Sequence, residues 1–146
     1  MTGSIHIRAA APADAGSLAR LSGELGYPAD AETIARRLQD VVKNRAGAVM
    51  VAEVDGQVAG WAHVLPQRRL EYDANAELAG LVVDESARGA GIGRALLRAA
   101  EAWAGEHGYP ELVVRSNVIR ERAHRFYLRE GYAEKKRQVV FVKKMG

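Results

Sequence analysis

The sequence predicts a mixed α/β (α+β) fold in which a mostly antiparallel sheet is flanked by helices. Its first half carries short runs of alternating apolar residues, and Asp55-Gly56 joins two of them in a strong hairpin signal. Its second half carries a strand, a long helix and another strand, which is the order of a crossover connection. The 146 residues suit one domain over residues 1–146, since domains cluster around roughly 100 to 150 residues.

The N-terminal segment predicts one strand and two helices, which precede most of the sheet. Residues 5–10 (IHIRAA) alternate like a short strand, and Pro12 with Asp14 then marks the start of a helix. The LGYP segment closes this helix. After it, Asp30 begins a second helix with four apolar residues on one face, namely Ile34, Leu38, Val41 and Val42.

Three strands follow in the middle of the chain. Residues 48–54 (AVMVAEV) and 58–66 (VAGWAHVLP) flank the Asp-Gly turn, and residues 76–84 (AELAGLVVD) form the next strand. The intervening residues 67–75 are polar, and we expect a mobile connection there.

The C-terminal part predicts a central helix up to Gly108, a strand at 111–116, and a second helix up to Gly131. Residues 133–145 (AEKKRQVVFVKKM) predict one or two closing strands. Basic residues there suit a sheet edge, where charge blocks edge-to-edge association; they are Lys135, Lys136, Arg137, Lys143 and Lys144.

The composition excludes several classes of function. The chain has no cysteine, which removes disulfides, thiolate metal sites and a cysteine nucleophile. A net charge of +3 makes no strong case for nucleic acid. No leader pattern and no run of about 20 apolar residues occurs, so we expect a cytoplasmic protein without a membrane partner.

A glycine-rich loop, RGAGIGRALL, joins the strand ending near Asp84 to the central helix. Its backbone N–H groups, together with the positive end of the helix dipole, can bind a phosphate or pyrophosphate. Arg88 and Arg94 add positive charge. The alternative is a glycine-rich cap that only turns the chain.

The register of the glycines excludes two phosphate-binding patterns. The dinucleotide pattern GxGxxG requires a third glycine where this sequence has Leu96 or Arg94. The nucleotide P-loop requires Gly-Lys-Ser/Thr, which does not occur. The loop instead fits Gln/Arg-x-x-Gly-x-Gly/Ala through Arg88, Gly91 and Gly93, and in this it resembles the acetyl-CoA signature of the GNAT acetyltransferase superfamily.

A second stretch, SNVIRERAHRFYLREGY, resembles the second GNAT motif along its whole length. Within the superfamily the C-terminal half looks closest to the aminoalkylphosphonate N-acetyltransferases, whose helix also reads AHRFYLREGY. The N-terminal half, which frames the acceptor pocket in the family, departs from that branch. The resemblance therefore implies the donor, acetyl-CoA, and leaves the acceptor open.

The resemblance also implies the GNAT acyl-CoA N-acyltransferase fold and a set of cofactor-binding residues. Asn117 has a second interpretation as an ordinary helix N-cap. The implied residues are Leu81, Val82, Val83, Arg88, Gly89, Ala90, Gly91, Ile92, Gly93, Arg94, Asn117, Ala123, Phe126 and Tyr127.

Acetyl transfer to an amine requires a base, because a lysine-like amine with a pKa of about 10.4 is protonated at neutral pH. Glu77 matches the family position for this role. The alternative is that Glu77 is an exposed carboxylate at a strand edge with no catalytic role. Alternation puts Glu77 on the strand face of Ala79, Leu81 and Val83 unless a bulge intervenes. Other candidate bases are Glu24, Glu53 and Glu71.

The departing thiol has a pKa near 8.5 (about that of free cysteine), so a phenol can protonate it. Tyr127 matches the family's general acid, and a packed aromatic is the alternative. The resemblance further implies that a backbone N–H at Val82 or Val83 stabilises the oxyanion. Without a cysteine or a GxSxG elbow, direct transfer in a ternary complex is favoured over an acyl-enzyme.

The predicted function is acetyl-CoA-dependent N-acetylation of a small primary amine. Acetylation of a protein or peptide, and a non-catalytic acyl-CoA sensor, are the alternatives. Tyr27, Trp61 and His63 line the acceptor pocket or belong to the core. The histidines lack metal-site spacing, no metal ligands are assigned and the metal requirement stays open. A homodimer is compatible with the superfamily.

Overall fold

The computed structural model describes residues 3–116 and 120–146. The chain divides into two compact units, a sheet unit that runs to Arg115 and a C-terminal unit from Ser116 to Gly146. The single domain expected over residues 1–146 stays a prediction.

The sheet unit contains five strands in the sequential order β1-β2-β3-β4-β5. The first four pair antiparallel, and β5 pairs parallel with β4 after a helical crossover. This is the predicted mixed, mostly antiparallel sheet. The strands are β1 (Ile5–Ala9), β2 (Ala48–Val54), β3 (Gln57–Arg69), β4 (Tyr72–Val83) and β5 (Leu112–Val114).

The hairpin between β2 and β3 forms where Asp-Gly predicted it. Asp55 and Gly56 have φ angles of +52° and +76°, so both occupy the left-handed region that two-residue hairpin turns require.

The expected mobile connection over residues 67–75 is wrong. Strand β3 continues to Arg69 and β4 begins at Tyr72, with Gln67 opposite Asn75. Pairing between these polar residues satisfies their backbone groups, and Asn75 is buried. The polar character of residues 67–75 therefore did not indicate a connection between two strands.

The described residues form four α-helices beside the strands, three in the sheet unit and one in the C-terminal unit. Their local signals match the sequence: Asp30 caps the second helix by accepting the Thr33 N–H, and Gly26 ends the first helix with φ +97°. Short 3-10 turns occupy residues 12–14 and 85–87. The helices are α1 (Ala15–Leu25), α2 (Ala31–Lys43), α3 (Ile92–Glu106) and α4 (Glu121–Arg129).

The two faces of the sheet are covered by different helices. Leu18 of α1 and Leu38 of α2 pack with Val51 and Trp61, which are cross-strand partners. On the other face, a Cβ at Gly60 would lie 3.0 Å from Leu96 Cδ1, so α3 approaches β3 closely there. A polar side chain on β3 or β4 therefore faces either α1 and α2 or α3.

The closing strands expected over residues 133–145 are absent, since none of these described residues pairs with a strand. Their large apolar side chains are exposed, as with Phe141 at 90%. Alternation and β-propensity specify a strand only where a partner supplies backbone hydrogen bonds and a face to cover. The basic residues expected at a sheet edge thus lie in a segment with no assigned strand or helix.

Within the described residues, no helix is long and apolar enough to cross a membrane.

Candidate functional site

The glycine loop connects β4 to α3 as the sequence predicted. Gly89 and Gly91 have φ angles of +88° and +84°, and Gly91 is the N-cap of α3. Space around both positions is open, so these residues are needed for their backbone conformation and not for close packing. Arg88 and Arg94 are exposed beside the loop. The first turn of α3 thus presents backbone N–H groups to an open surface suited to a pyrophosphate.

A network of charged groups holds the start of this loop to α1. Arg20 Nη1 lies 2.7 Å from Asp84 Oδ2, and Glu24 Oε1 accepts the Glu85 N–H at 3.0 Å. The pKa of Asp84 is lowered, first by the Ser86 hydroxyl and then by Arg20. Arg20 was not identified from the sequence, because its contact with Asp84 spans 64 residues.

Strand β4 loses its outer neighbour before it reaches the loop. Its pairing with β5 covers only Ala76 to Leu78, so no described strand borders residues 79–83 on that side. The Asp84 N–H donates to Ala59 O in β3 at 2.7 Å. Because successive N–H groups of a strand alternate in direction, the Val83 N–H points away from β3 and the Val82 N–H points toward it.

A bulge at Ala79 places Glu77 on the opposite face of the sheet from the one expected without a bulge. His63 pairs with Gly80 and Val64 with Leu78, which leaves Ala79 without a partner. The extra residue reverses the alternation, so Glu77 does not share a face with Leu81 and Val83. Glu77 instead lies on the sheet face of Trp61 and His63, which α1 and α2 cover.

The Glu77 carboxylate is held by two side chains from the flanking strands. Its Oε1 accepts Gln67 Nε2 at 2.7 Å and Arg115 Nε at 2.6 Å. Arg115 Nη2 also donates to Gln67 Oε1 at 3.2 Å, which closes a ring of three side chains. The Glu77 side chain is 14% exposed, so it is not a solvated edge carboxylate. Neither Gln67 nor Arg115 was identified from the sequence, and no motif marks them.

The other candidate carboxylates have different surroundings. Glu24 binds Arg20 and the loop backbone, and Glu53 binds Arg8 across β1 and β2 at 3.0 Å. Glu71 is exposed in the turn between β3 and β4. Of these carboxylates, Glu77 alone is held on the sheet face beside His63.

The three aromatic candidates for an acceptor pocket separate in the structure. Trp61 and His63 share the sheet face of Glu77, whereas Tyr27 follows α1 and is 68% exposed. Trp61 Nε1 is buried and finds no hydrogen-bond partner among the residues that the structure describes. Burial lowers the pKa of His63, which favours its neutral form. Trp61 also joins the apolar cluster of α1 and α2, so its core interpretation holds as well.

In the C-terminal unit, α4 carries the residues of the second motif. Tyr127 is partly buried, and its ring packs edge-on against Phe126 and Tyr132 at 5.2 and 5.9 Å between centroids. Burial raises the pKa of Tyr127 to about 12, so the phenol keeps its proton at physiological pH. Ala123 and Phe126 are partly buried on the same helix. Asn117 lies outside the described residues.

Across residues 3–116 and 120–146, no three His, Asp or Glu side chains come together as a metal site would require.

Comparison with known proteins identifies the family. The acetyltransferase (GNAT) family profile matches residues 17–132. The chain belongs to the GNAT acetyltransferase family. It is accordingly an N-acetyltransferase that uses acetyl-CoA as cosubstrate.

Two curated relatives match this GNAT enzyme over most of its length. An aminoglycoside N(6')-acetyltransferase type 1 of Stenotrophomonas maltophilia is 36% identical over 92% of this chain and 90% of its own. An aminoalkylphosphonate N-acetyltransferase of Salmonella typhimurium is 36% identical over 78% of this chain and 72% of its own. The superfamily prediction is confirmed; a preference of the C-terminal half for the second branch stays a prediction.

Solved structures confirm the fold class. An aminoglycoside 6'-N-acetyltransferase from Acinetobacter haemolyticus superposes with a TM-score of 0.84, 19% identity and coverage of 97% of this chain and 99% of that one. At that identity the likeness concerns the fold alone, which is the GNAT acyl-CoA N-acyltransferase fold expected from the sequence.

Proposed function

We propose that this GNAT enzyme acetylates a primary amine of a small, multiply aminated molecule of the aminoglycoside type. The observation that carries the proposal is the match to the aminoglycoside acetyltransferase over 92% of the chain. That match includes the N-terminal half, which holds α1, α2 and the strands on whose face Glu77 lies. A nearly buried carboxylate there suits an acceptor that arrives as an ammonium ion.

The proposed transfer is direct. Glu77 takes one proton from the ammonium group, and the neutral amine nitrogen then forms a bond to the acetyl carbonyl carbon. As the carbon–sulfur bond breaks, the nitrogen loses a second proton, which replaces the proton that Tyr127 gives to the sulfur. The Val83 N–H, which is directed away from β3, is better oriented than the Val82 N–H to stabilise the oxyanion. Tyr127 gives its proton to the departing sulfur, a role that suits a phenol still protonated at neutral pH.

For the donor, the proposed binding residues are those of the loop and the first turn of α3. Backbone N–H groups around Gly91 and Gly93 would hold the pyrophosphate, with Arg88 and Arg94 supplying charge. The strand residues Leu81 to Val83, bordered by no described strand, would receive the pantetheine arm.

An aminoalkylphosphonate is the second candidate acceptor. The Salmonella relative acts on that class by its name, and the end of β3 carries exposed Arg68 and Arg69. Guanidinium groups bind phosphonate oxygens in a bidentate geometry, which a polycationic acceptor would not use.

A free-thiol assay with acetyl-CoA tests these acceptors side by side. The panel contains an aminoglycoside with a 6'-amine, an aminoalkylphosphonate, and a peptide with one lysine and a free N-terminus. We expect the highest kcat/KM with the aminoglycoside. Turnover with the phosphonate alone would select the second acceptor, and turnover with the peptide alone would overturn both. Acetyl-CoA binding without turnover of any amine would favour a sensor over an enzyme.

A further inference from the structure

Three side chains from three separate strand regions meet at the proposed base. Gln67 lies on β3, Glu77 on β4, and Arg115 directly follows β5. Their contacts measure 2.6 Å for Arg115 to Glu77, 2.7 Å for Gln67 to Glu77, and 3.2 Å for Arg115 to Gln67. Glu77 is therefore held from both of its neighbouring strands at once.

Both donors contact the same carboxylate oxygen. Oε1 of Glu77 accepts hydrogen bonds from the Gln67 amide and the Arg115 guanidinium. Two hydrogen bonds to one oxygen fix the plane and the rotamer of the carboxylate. The second oxygen is thereby oriented in a set direction, which a general base requires.

The orientation of the Gln67 amide follows from chemistry. Its NH2 group faces a carboxylate and its carbonyl oxygen faces a guanidinium. Turning the amide over would place donor against donor and acceptor against acceptor. Gln67 thus bridges the two charges in one orientation only, and it transmits the position of Arg115 to Glu77.

Burial distinguishes the Glu77 carboxylate from that of the surface ion pair on α3. The Glu77 and Arg115 side chains are 14% and 37% exposed, whereas Arg98 and Glu101 on α3 are 48% and 33% exposed. A carboxylate removed from water requires hydrogen bonds and a nearby cation to offset its lost hydration. The pKa of Arg115 is raised, chiefly by its hydrogen bond to Glu77.

The location of Arg115 matches the place where the reaction is proposed to occur. Glu77 and Leu78 are the last residues of β4 that pair with β5, opposite Val113 and Val114. Arg115 is the next residue of the chain, so its guanidinium lies where β4 and β5 cease to pair. Beyond this point no described strand borders β4 on the β5 side, and Val83 lies in that part of the strand.

We propose that Arg115 and Gln67 are positioning residues for Glu77, whose carboxylate they turn so that Oε2 receives the proton of the acceptor amine. This inference rests on the proposed function, because it assumes that Glu77 is the base. Neither residue contacts the reacting atoms in this assignment, and both act through the carboxylate.

The test measures kcat and KM against pH for Arg115→Met, Arg115→Lys and Gln67→Met. In Arg115→Met the carboxylate loses one of the two donors that fix its orientation, so kcat at neutral pH falls about 10-fold or more while KM changes little. Arg115→Lys returns a donor without the planar guanidinium, so it restores only part of kcat. Gln67→Met lowers kcat by about 3- to 10-fold at unchanged acetyl-CoA affinity.

Arg98→Met is the matched control, since it removes an arginine from an exposed ion pair of α3, and we expect no change in either quantity. Thermal unfolding of every variant separates loss of fold from loss of rate. In a Glu77→Gln background, Arg115→Met should add little further loss, because both substitutions remove the same function.

The outcomes separate the two proposals. If Glu77→Gln is inactive while Arg115→Met and Gln67→Met keep the wild-type kcat and pH profile, the positioning inference is overturned and the base assignment stands. If Glu77→Gln keeps full activity, the base assignment fails and this inference with it. If no amine is acetylated by the wild type, the proposed function itself is wrong.

Discussion

Strand β4 carries Glu77 near its middle and leads into the glycine loop at its end. The two regions differ in the groups that they offer to a ligand. The loop offers backbone N–H groups, set by the left-handed conformations of Gly89 and Gly91 within a few residues. The Glu77 region offers side chains, drawn from positions 67, 77 and 115. A site made of backbone N–H groups depends on residues that are neighbours in the sequence. A site made of side chains from different strands forms only when those strands pair.

The largest effect is expected from removing the Glu77 carboxylate. Glu77→Gln should lower kcat by about 10²- to 10⁴-fold, the usual contribution of a general base, and leave acetyl-CoA binding intact. Steady-state rates and calorimetric titration with acetyl-CoA measure the two quantities. Glu53→Gln is the control, because Glu53 also pairs with an arginine in the same sheet. A larger loss in Glu53→Gln would move the base to that residue.

Tyr127→Phe should lower kcat by about 10- to 100-fold, less than Glu77→Gln, because a thiolate departs without full protonation more readily than an ammonium reacts. Since the pKa of Tyr127 is raised to about 12, its phenol does not titrate between pH 6 and pH 10. The basic limb of the profile should therefore be the same in the variant. Tyr109→Phe serves as control, and a basic limb that disappears only in Tyr127→Phe would contradict the assignment.

On the loop, Gly91→Val should weaken acetyl-CoA binding about 10-fold with little change in kcat, because a left-handed conformation costs a branched residue roughly 1–2 kcal/mol. Gly105→Ala is the matched substitution, since Gly105 lies within α3 at ordinary helical angles and in open space. We expect it to bind acetyl-CoA like the wild type and to unfold at a slightly higher temperature. Equal affinities for both variants would argue against a backbone site in the loop.

The smallest effect concerns His63, beside Glu77 on the sheet face. Its pKa is lowered by burial, so the folded state resists protonation while the unfolded chain protonates near pH 6.5. Stability is therefore fully present above that pH and declines as the pH falls below it.

His63→Gln should remove on the order of 1 kcal/mol or less of the stability difference between pH 7.5 and pH 5.5, measured by urea unfolding. His6→Gln, at an exposed position on β1, should not. An unchanged pH dependence in His63→Gln would mean that other groups produce the acid sensitivity.

Several features of this enzyme were predictable from sequence because they depend on neighbouring residues. The hairpin at Asp55-Gly56, the cap at Asp30 and the glycine loop before α3 each follow from local backbone preferences, and all three form as predicted. The family also follows from two contiguous motifs. Local physics, together with motif spacing, thus determined the donor and most of the elements.

Tertiary structure alone decided the face of Glu77 and the partners that hold it. The bulge at Ala79 reverses the alternation, and nothing in ELAGLVV marks which residue is unpaired. Gln67 and Arg115 reach Glu77 because β3 and β5 flank β4, a relation that no sequence period records. The same reason explains residues 133–145, where alternation predicted strands and the structure gives none. A strand requires a neighbouring strand, and a side-chain site requires residues from other parts of the chain. The tertiary structure determines which residues become neighbours.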